Sequence, residues 1–156
     1  MSVIQVVPIL QVLLVGLCLW ILLQGGPPER LGGIIMLSGF IGQLMLKISG
    51  YPLDFFGPNM IYLVFTGILF LVSLTLAIQS NRLWPLTFSA LFLVEFSGHL
   101  SVVVLKSGMS LAYWSMTQVP IVAQALTLAI GTIAYAERQR AGIKARDWRL
   151  PAGGQN

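Results

Sequence analysis

Charge is what this sequence has least of. Asp, Glu, Lys and Arg make up 9% of its 156 residues, against about 25% in a soluble domain. Hydrophobic residues make up 56%, and the mean hydropathy is +0.86. A water-soluble fold would lack the polar surface to keep such a chain dispersed. Cysteine occurs once, as Cys18, which excludes an internal disulfide and carries no information on redox compartment. Set in an apolar run, it reads as a small lipid- or helix-facing residue. Histidine also occurs once, as His99. A transmembrane b-type haem normally takes two histidine ligands, so a methionine or a second subunit would have to complete one. A catalytic zinc takes about three protein ligands, and His99, Glu95 and Cys18, the last at another level in another segment, do not make such a set. Also missing are a Walker-type phosphate loop, a Gly-x-Ser-x-Gly elbow and an Asp-rich pair for prenyl diphosphates. The residues name no enzyme class and leave cofactors open.

What is present is apolar residues in blocks rather than stripes. Blocks of about 20 residues match the roughly 30 Å hydrocarbon core of a bilayer. Five blocks predict an all-α polytopic transmembrane helix bundle with spans at about 3–23, 31–47, 60–79, 84–105 and 112–136. Four spans plus an interfacial first helix is the alternative. The first block has no preceding Lys or Arg and no small-x-small cleavage site after it, so it reads as an uncleaved span. Gln24-Gly25-Gly26-Pro27-Pro28-Glu29-Arg30 reads as a turn. The second block is glycine-rich, and Ser38 and Gly42 stand four apart, a small-xxx-small face that admits a close helix neighbour. Lys47 at its end can snorkel to the headgroups. Between 49 and 59, two prolines and two glycines forbid a continuous helix. An interfacial loop is expected there, with a re-entrant or ligand-capping loop as the alternative. Pro85 falls in the first turn of its helix, where it is tolerated. Pro120 lies inside the fifth block and frees a carbonyl one turn earlier. The tail from Glu137 to Asn156 is expected to add one helical turn and then to be disordered.

The net charge is +4 and the pI about 9.6. No soluble domain is left to carry a nucleic-acid recognition module, so the basic balance reads as topology. With five spans, Arg30, Arg82, Arg138, Arg140, Lys144, Arg146 and Arg149 fall on one side, and only Lys47 and Lys106 on the other. The positive-inside rule then puts the N-terminus outside and the C-terminus in the cytoplasm. The tail's Arg and Lys residues serve as that signal, with anionic lipid or a partner as the alternative role.

Glu95 is the most informative residue. It lies near the middle of the fourth block, where a charged side chain costs about 2.5–3.5 kcal/mol on insertion scales. Such a group needs a proton or a partner. His99, four residues on, shares its face and should sit about 6 Å further toward the outside. Gln124 falls at the centre of the fifth block and Gln11 near that of the first. Gln43 falls nearer the outer leaflet, level with His99. Thr66, Ser73, Ser97, Ser101 and Thr127 add hydroxyls. Glu95, His99, Gln124, Gln11 and Gln43 therefore form the candidate intramembrane polar cluster. It reads either as a hydrogen-bonded packing network or as a protonatable pair with its polar surroundings.

Three stretches carry a family likeness: Gly25-Gly26-Pro27-Pro28-Glu29-Arg30-Leu31-Gly32, Arg82-Leu83-Trp84-Pro85 and Leu128-Ala129-Ile130-Gly131-Thr132, supported by His99-Leu100 and Ala112-Tyr113. Together they resemble small uncharacterised multi-span membrane proteins of alphaproteobacteria, sphingomonad-like ones in particular. The likeness runs from Gly25 to Thr132. It implies a bacterial inner membrane and no particular activity. The expected role is a non-catalytic structural or accessory component in a membrane complex or homo-oligomer. A small proton- or ion-coupled transport component using Glu95 and His99 is the alternative, and a lipid- or quinone-binding enzyme subunit a further one.

Overall fold

The computed structural model describes residues 3–50, 60–105, 110–143 and 147–148. They form five helices: α1 (Val3–Gln24), α2 (Pro27–Ile48), α3 (Met60–Gln79), α4 (Trp84–Leu105) and α5 (Ser110–Arg140). The shortest has 20 residues, about 30 Å at 1.5 Å per residue. Helices α3 and α4 have the predicted bounds. Helix α2 begins four residues before the predicted span, because Pro27 and Pro28 initiate the helix rather than breaking it. Proline's fixed φ suits the first turn, where its missing N–H is not needed. The residues between 51 and 59, with their interfacial or re-entrant alternatives, lie outside the described residues, as do Lys106, Lys144, Arg146 and Arg149.

The α1–α2 connection is a two-residue turn. Gly25 N–H donates to Ile21 O at 2.7 Å, and Arg30 N–H donates to Gly26 O at 2.9 Å. Gly26 cannot be larger, since a Cβ there would lie 2.6 Å from the Tyr135 ring. Helix α5 continues one turn past the fifth block, as expected, and runs through Pro120. It then ends on Gly142 at φ 69°. Ile143 N–H reaches Arg138 O at 3.0 Å and Gly142 N–H reaches Gln139 O at 3.1 Å, the paired bonds of a Schellman cap.

The helices close a ring in chain order. Each packs on its neighbour in sequence, α1 closes on α5, and α2 also reaches α5. Leu14, Cys18 and Ile21 of α1, Ile35 and Met36 of α2, Leu69 and Leu76 of α3, Phe88 and Phe92 of α4, and Ala125 and Leu128 of α5 fill the interior. The outside is as apolar as the inside: Val12 is 72% exposed and Leu23 76%. In water such a surface would aggregate; in hydrocarbon it costs nothing. Among the described residues, Met60–Gln79, Trp84–Val104 and Ser115–Arg140 are long and apolar enough to cross a bilayer, and Leu10–Gln24 is a shorter apolar stretch. The chain is an all-α membrane bundle.

Candidate functional site

Helix α4 carries the organising stripe. Trp84, Phe88, Phe92, Glu95, His99 and Val102 recur at three- and four-residue spacing, which puts them on one helix face. From Phe88 to Val102 these residues are buried. The aromatic part is a ladder of edge contacts, Trp84 to Phe88 at 5.8 Å and Phe88 to Phe92 at 5.2 Å between centroids. Beyond Phe92 the stripe turns polar.

Gln124 Nε2 donates to Glu95 Oε2 at 3.4 Å, joining α5 to α4. Both residues line a cavity of about 30 Å³, room for about two water-sized groups. Helix α2 contributes Met36, Gly39, Phe40 and Gln43 to its wall, and α3 contributes Tyr62, Phe65, Thr66 and Leu69. Glu95 and Gln124 are thus in contact, and Gln43, which the sequence puts level with His99, lines the same cavity. His99 sits one turn further along α4. Its Nδ1 shares a 3.0 Å hydrogen bond with Tyr113 OH, and its ring stacks on Tyr62 with centroids 5.7 Å apart. Tyr62 thus borders both His99 and the Glu95 cavity. Gly98 lets α5 approach this region, for a Cβ there would come within 3.1 Å of Met116 Cβ.

Gln11 does not join the cluster. It is exposed on α1, a helix that packs on α2 and α5 rather than on α4. Its depth was readable from the sequence and its rotation was not, because α1 is apolar on all sides. The hydroxyls turn inward on their own helices. Thr66, Ser73, Ser97, Ser101 and Thr127 donate to carbonyls three or four residues back, at 2.7–2.8 Å, a common arrangement for Ser and Thr in helices. Ser38 does the same to Ile35 O. Gly42 does admit a close neighbour, and the neighbour is the chain's own α3: a Cβ would fall 2.5 Å from Phe65 Cζ.

A second polar cluster, at the end of the bundle where α1 meets α2, was not foreseen. Glu29 is fully buried in the first turn of α2. Its Oε1 accepts from Trp84 Nε1 at 2.9 Å and lies 3.9 Å from Arg82 Nε. Arg82, itself buried, reaches Asp147 through Nη2 and lies over the Tyr135 ring, 5.3 Å from its centroid. Asn81 N–H donates to Asp147 O at 3.0 Å, and Ser80 bridges Trp148 in antiparallel fashion. Residues 147–148 of the tail are thus held against the α3–α4 turn. Among the described residues, Glu29 Oε2, Ser80 Oγ and Arg82 Nε and Nη1 have no hydrogen-bond partner, so charge and packing hold this end more than saturated hydrogen bonding does. Burial holds the Glu29 carboxyl above its ordinary pKa, against the opposing pull of the Trp84 hydrogen bond and the Arg82 charge. Glu29 precedes the apolar run that begins at 31, and the sequence puts it and Arg82 in two separate turns. The signal that could have found the cluster lay in the three motif stretches. Glu29 and Gly32 belong to the first, Arg82 and Trp84 to the second, Leu128 and Gly131 to the third. The Trp84 indole lies between Gly32 and Gly131, where added Cβ atoms would come within 2.8 and 2.7 Å of it.

Of the basic residues in the tail, Arg138 donates from Nε to Ala134 O at 3.1 Å, and Arg140 is exposed at the helix end. Among the described residues no three His, Cys, Asp or Glu side chains group as metal ligands. Comparison of the chain with protein-family models, with curated proteins and with solved structures gives no match.

Proposed function

We propose that the chain is a non-catalytic structural or accessory component of a bacterial inner membrane, working within a membrane complex or as a homo-oligomer. The observation that carries this reading is the apolar packing between the two polar clusters. Phe88, Phe92, Leu69, Leu76 and Leu128 fill the bundle from the Glu29–Arg82 end to the level of Glu95, so the polar groups do not line up as a route across it. Glu29, Arg82 and Asp147 at that end join α2, α4, α5 and the tail. Arg30, Arg82, Arg138 and Arg140 belong to this end, which we place in the cytoplasm with the C-terminus.

The test is native mass spectrometry of the full chain, tagged at its C-terminus and extracted from the membrane in mild detergent. A stoichiometric membrane partner or a defined homo-oligomer is expected, unchanged by Glu95→Gln. A lone monomer whose cellular effect disappears with Glu95→Gln would overturn the reading.

One observation favours a second reading. Glu95 faces a cavity, with His99 one turn away and Tyr62 between them. A small proton- or ion-coupled transport component would place a protonatable pair in this way. Loss of coupled flux in Glu95→Gln at unchanged expression would support it, and normal flux would sink it.

A further inference from the structure

The Glu95 cavity has a composition that points to a ligand. Its floor is the Glu95 carboxylate and the Gln124 carboxamide, both buried. Its walls are aromatic: Phe40, Tyr62, Phe65 and Phe92. The lining residues of α4 are buried, whereas Phe40 of α2, Tyr62 and Phe65 of α3 and Ile121 of α5 are partly exposed. Two of the three helices that carry partly exposed lining residues are α2 and α3, and the outside of the bundle faces lipid.

We propose that this cavity binds the head of a lipid-soluble primary ammonium ion, entering between α2 and α3. The proposal rests on the second reading above only in treating Glu95 as a working group. A carboxyl in apolar surroundings either keeps its proton or pairs with a positive group, and an ammonium ion supplies that group. Among the described side chains, the Arg82 guanidinium is engaged with Glu29 and Asp147 at the other polar cluster, Arg30 and Arg138 donate to backbone carbonyls, Arg140 is exposed at the end of α5, and His99 is engaged with Tyr113. Aromatic faces attract cations, and organic ammonium ions in particular. Hard metal ions call instead for six or more oxygen ligands, which a carboxylate and carboxamides among aromatic rings do not supply. The size agrees: about 30 Å³ admits an –NH3⁺ group with an adjoining methylene, since a water-sized group needs about 10–15 Å³. A trimethylammonium head is too bulky. The alkyl remainder would leave through the mouth into lipid.

The test uses the full chain in nanodiscs and equilibrium dialysis with radiolabelled n-octylamine, corrected by empty discs. Saturable binding at one site per chain is expected, at least tenfold weaker in Glu95→Gln and several-fold weaker in Phe92→Leu. Octanol and octyltrimethylammonium should not compete. Glu95→Asp, which keeps the charge, covers the case in which Glu95→Gln fails to fold; it should retain part of the binding. Uptake equal to that of empty discs, an affinity indifferent to Glu95→Gln, or displacement by millimolar Na⁺ in place of the amine would each overturn the proposal. If octylamine fails to bind while Glu95→Gln abolishes coupled flux, the protonatable pair stands and only the ligand class falls.

Discussion

Replacing Gly131 by alanine should destabilise the bundle, although alanine is the better helix former by about 1 kcal/mol. The reason is Trp84. A Cβ at position 131 would lie 2.7 Å from Trp84 Cδ1, 2.9 Å from Cγ and 3.0 Å from Nε1, where unstrained carbon contacts begin at about 3.5 Å. These atoms are at the root of the indole, so a small side-chain rotation does not clear them. The ring cannot slide away either. Its far edge lies against Gly32, and its Nε1 is tied to Glu29 at 2.9 Å. Overpacking of this kind costs about 1–3 kcal/mol, and loss of the bond to Glu29 adds about 1.5–3 kcal/mol if the ring is displaced. Net of the propensity gain, Gly131→Ala is expected to cost about 1–3 kcal/mol. In a Trp84→Leu background the obstruction is gone, and the same change should become neutral or stabilising by up to about 1 kcal/mol. The coupling energy of the cycle should then be about 1–4 kcal/mol, of the order found for residues in contact. Reversible unfolding in mixed micelles, titrated with dodecyl sulfate and followed by circular dichroism, measures all four corners. Equal effects of Gly131→Ala in both backgrounds, or stabilisation with Trp84 present, would refute the reasoning.

Asp147→Asn weakens a charge-assisted bond to Arg82 worth about 1.5 kcal/mol, so tryptic cleavage of the tail should accelerate about tenfold, read by intact-mass analysis of timed digests. Glu29 has its folded pKa raised by burial, so its stabilising contribution is complete below the ordinary carboxyl value and is lost as pH rises through the folded one. Melting curves from about pH 4 to 8 should therefore show wild type losing ground to Glu29→Gln as pH rises; the opposite trend would mean that the Arg82 charge outweighs burial. Cys18 is fully buried in the core, so a maleimide should leave the folded protein unlabelled and modify it at the rate of unfolding, measured by mass shift against denaturant.

The bounds of α3 and α4 were legible because each is a predominantly apolar run with polar turn residues at its edge. The start of α2 was not, because Pro27-Pro28 reads as a breaker in a glycine-rich stretch, while the same pair fits a first helical turn. Glu95 and Gln124 could be grouped by depth, since each sits at a countable distance from its helix end, whereas Gln43 was placed level with His99 and lines the Glu95 cavity instead. Gln11 passed the same depth test but points outward, and a helix apolar all round gives no indication of its rotation. Ser38 and Gly42 announced a close contact without naming α3 as the neighbour. The Glu29–Trp84 bond spans 55 residues. Nothing local to either residue marks it, and alternating loops look independent until the ring of helices closes.

The most direct test of the five-helix membrane bundle is side-specific labelling of single cysteines in a Cys18→Ala background. Ser49, Asn81 and Glu137 are exposed at helix ends and serve as reporters. With the full chain in a bacterial inner membrane, a membrane-impermeant maleimide should label Ser49→Cys in intact cells. Asn81→Cys and Glu137→Cys should label only after the membrane is opened. Labelling of Ser49→Cys and Asn81→Cys from the same side would contradict the crossing of the membrane by α3.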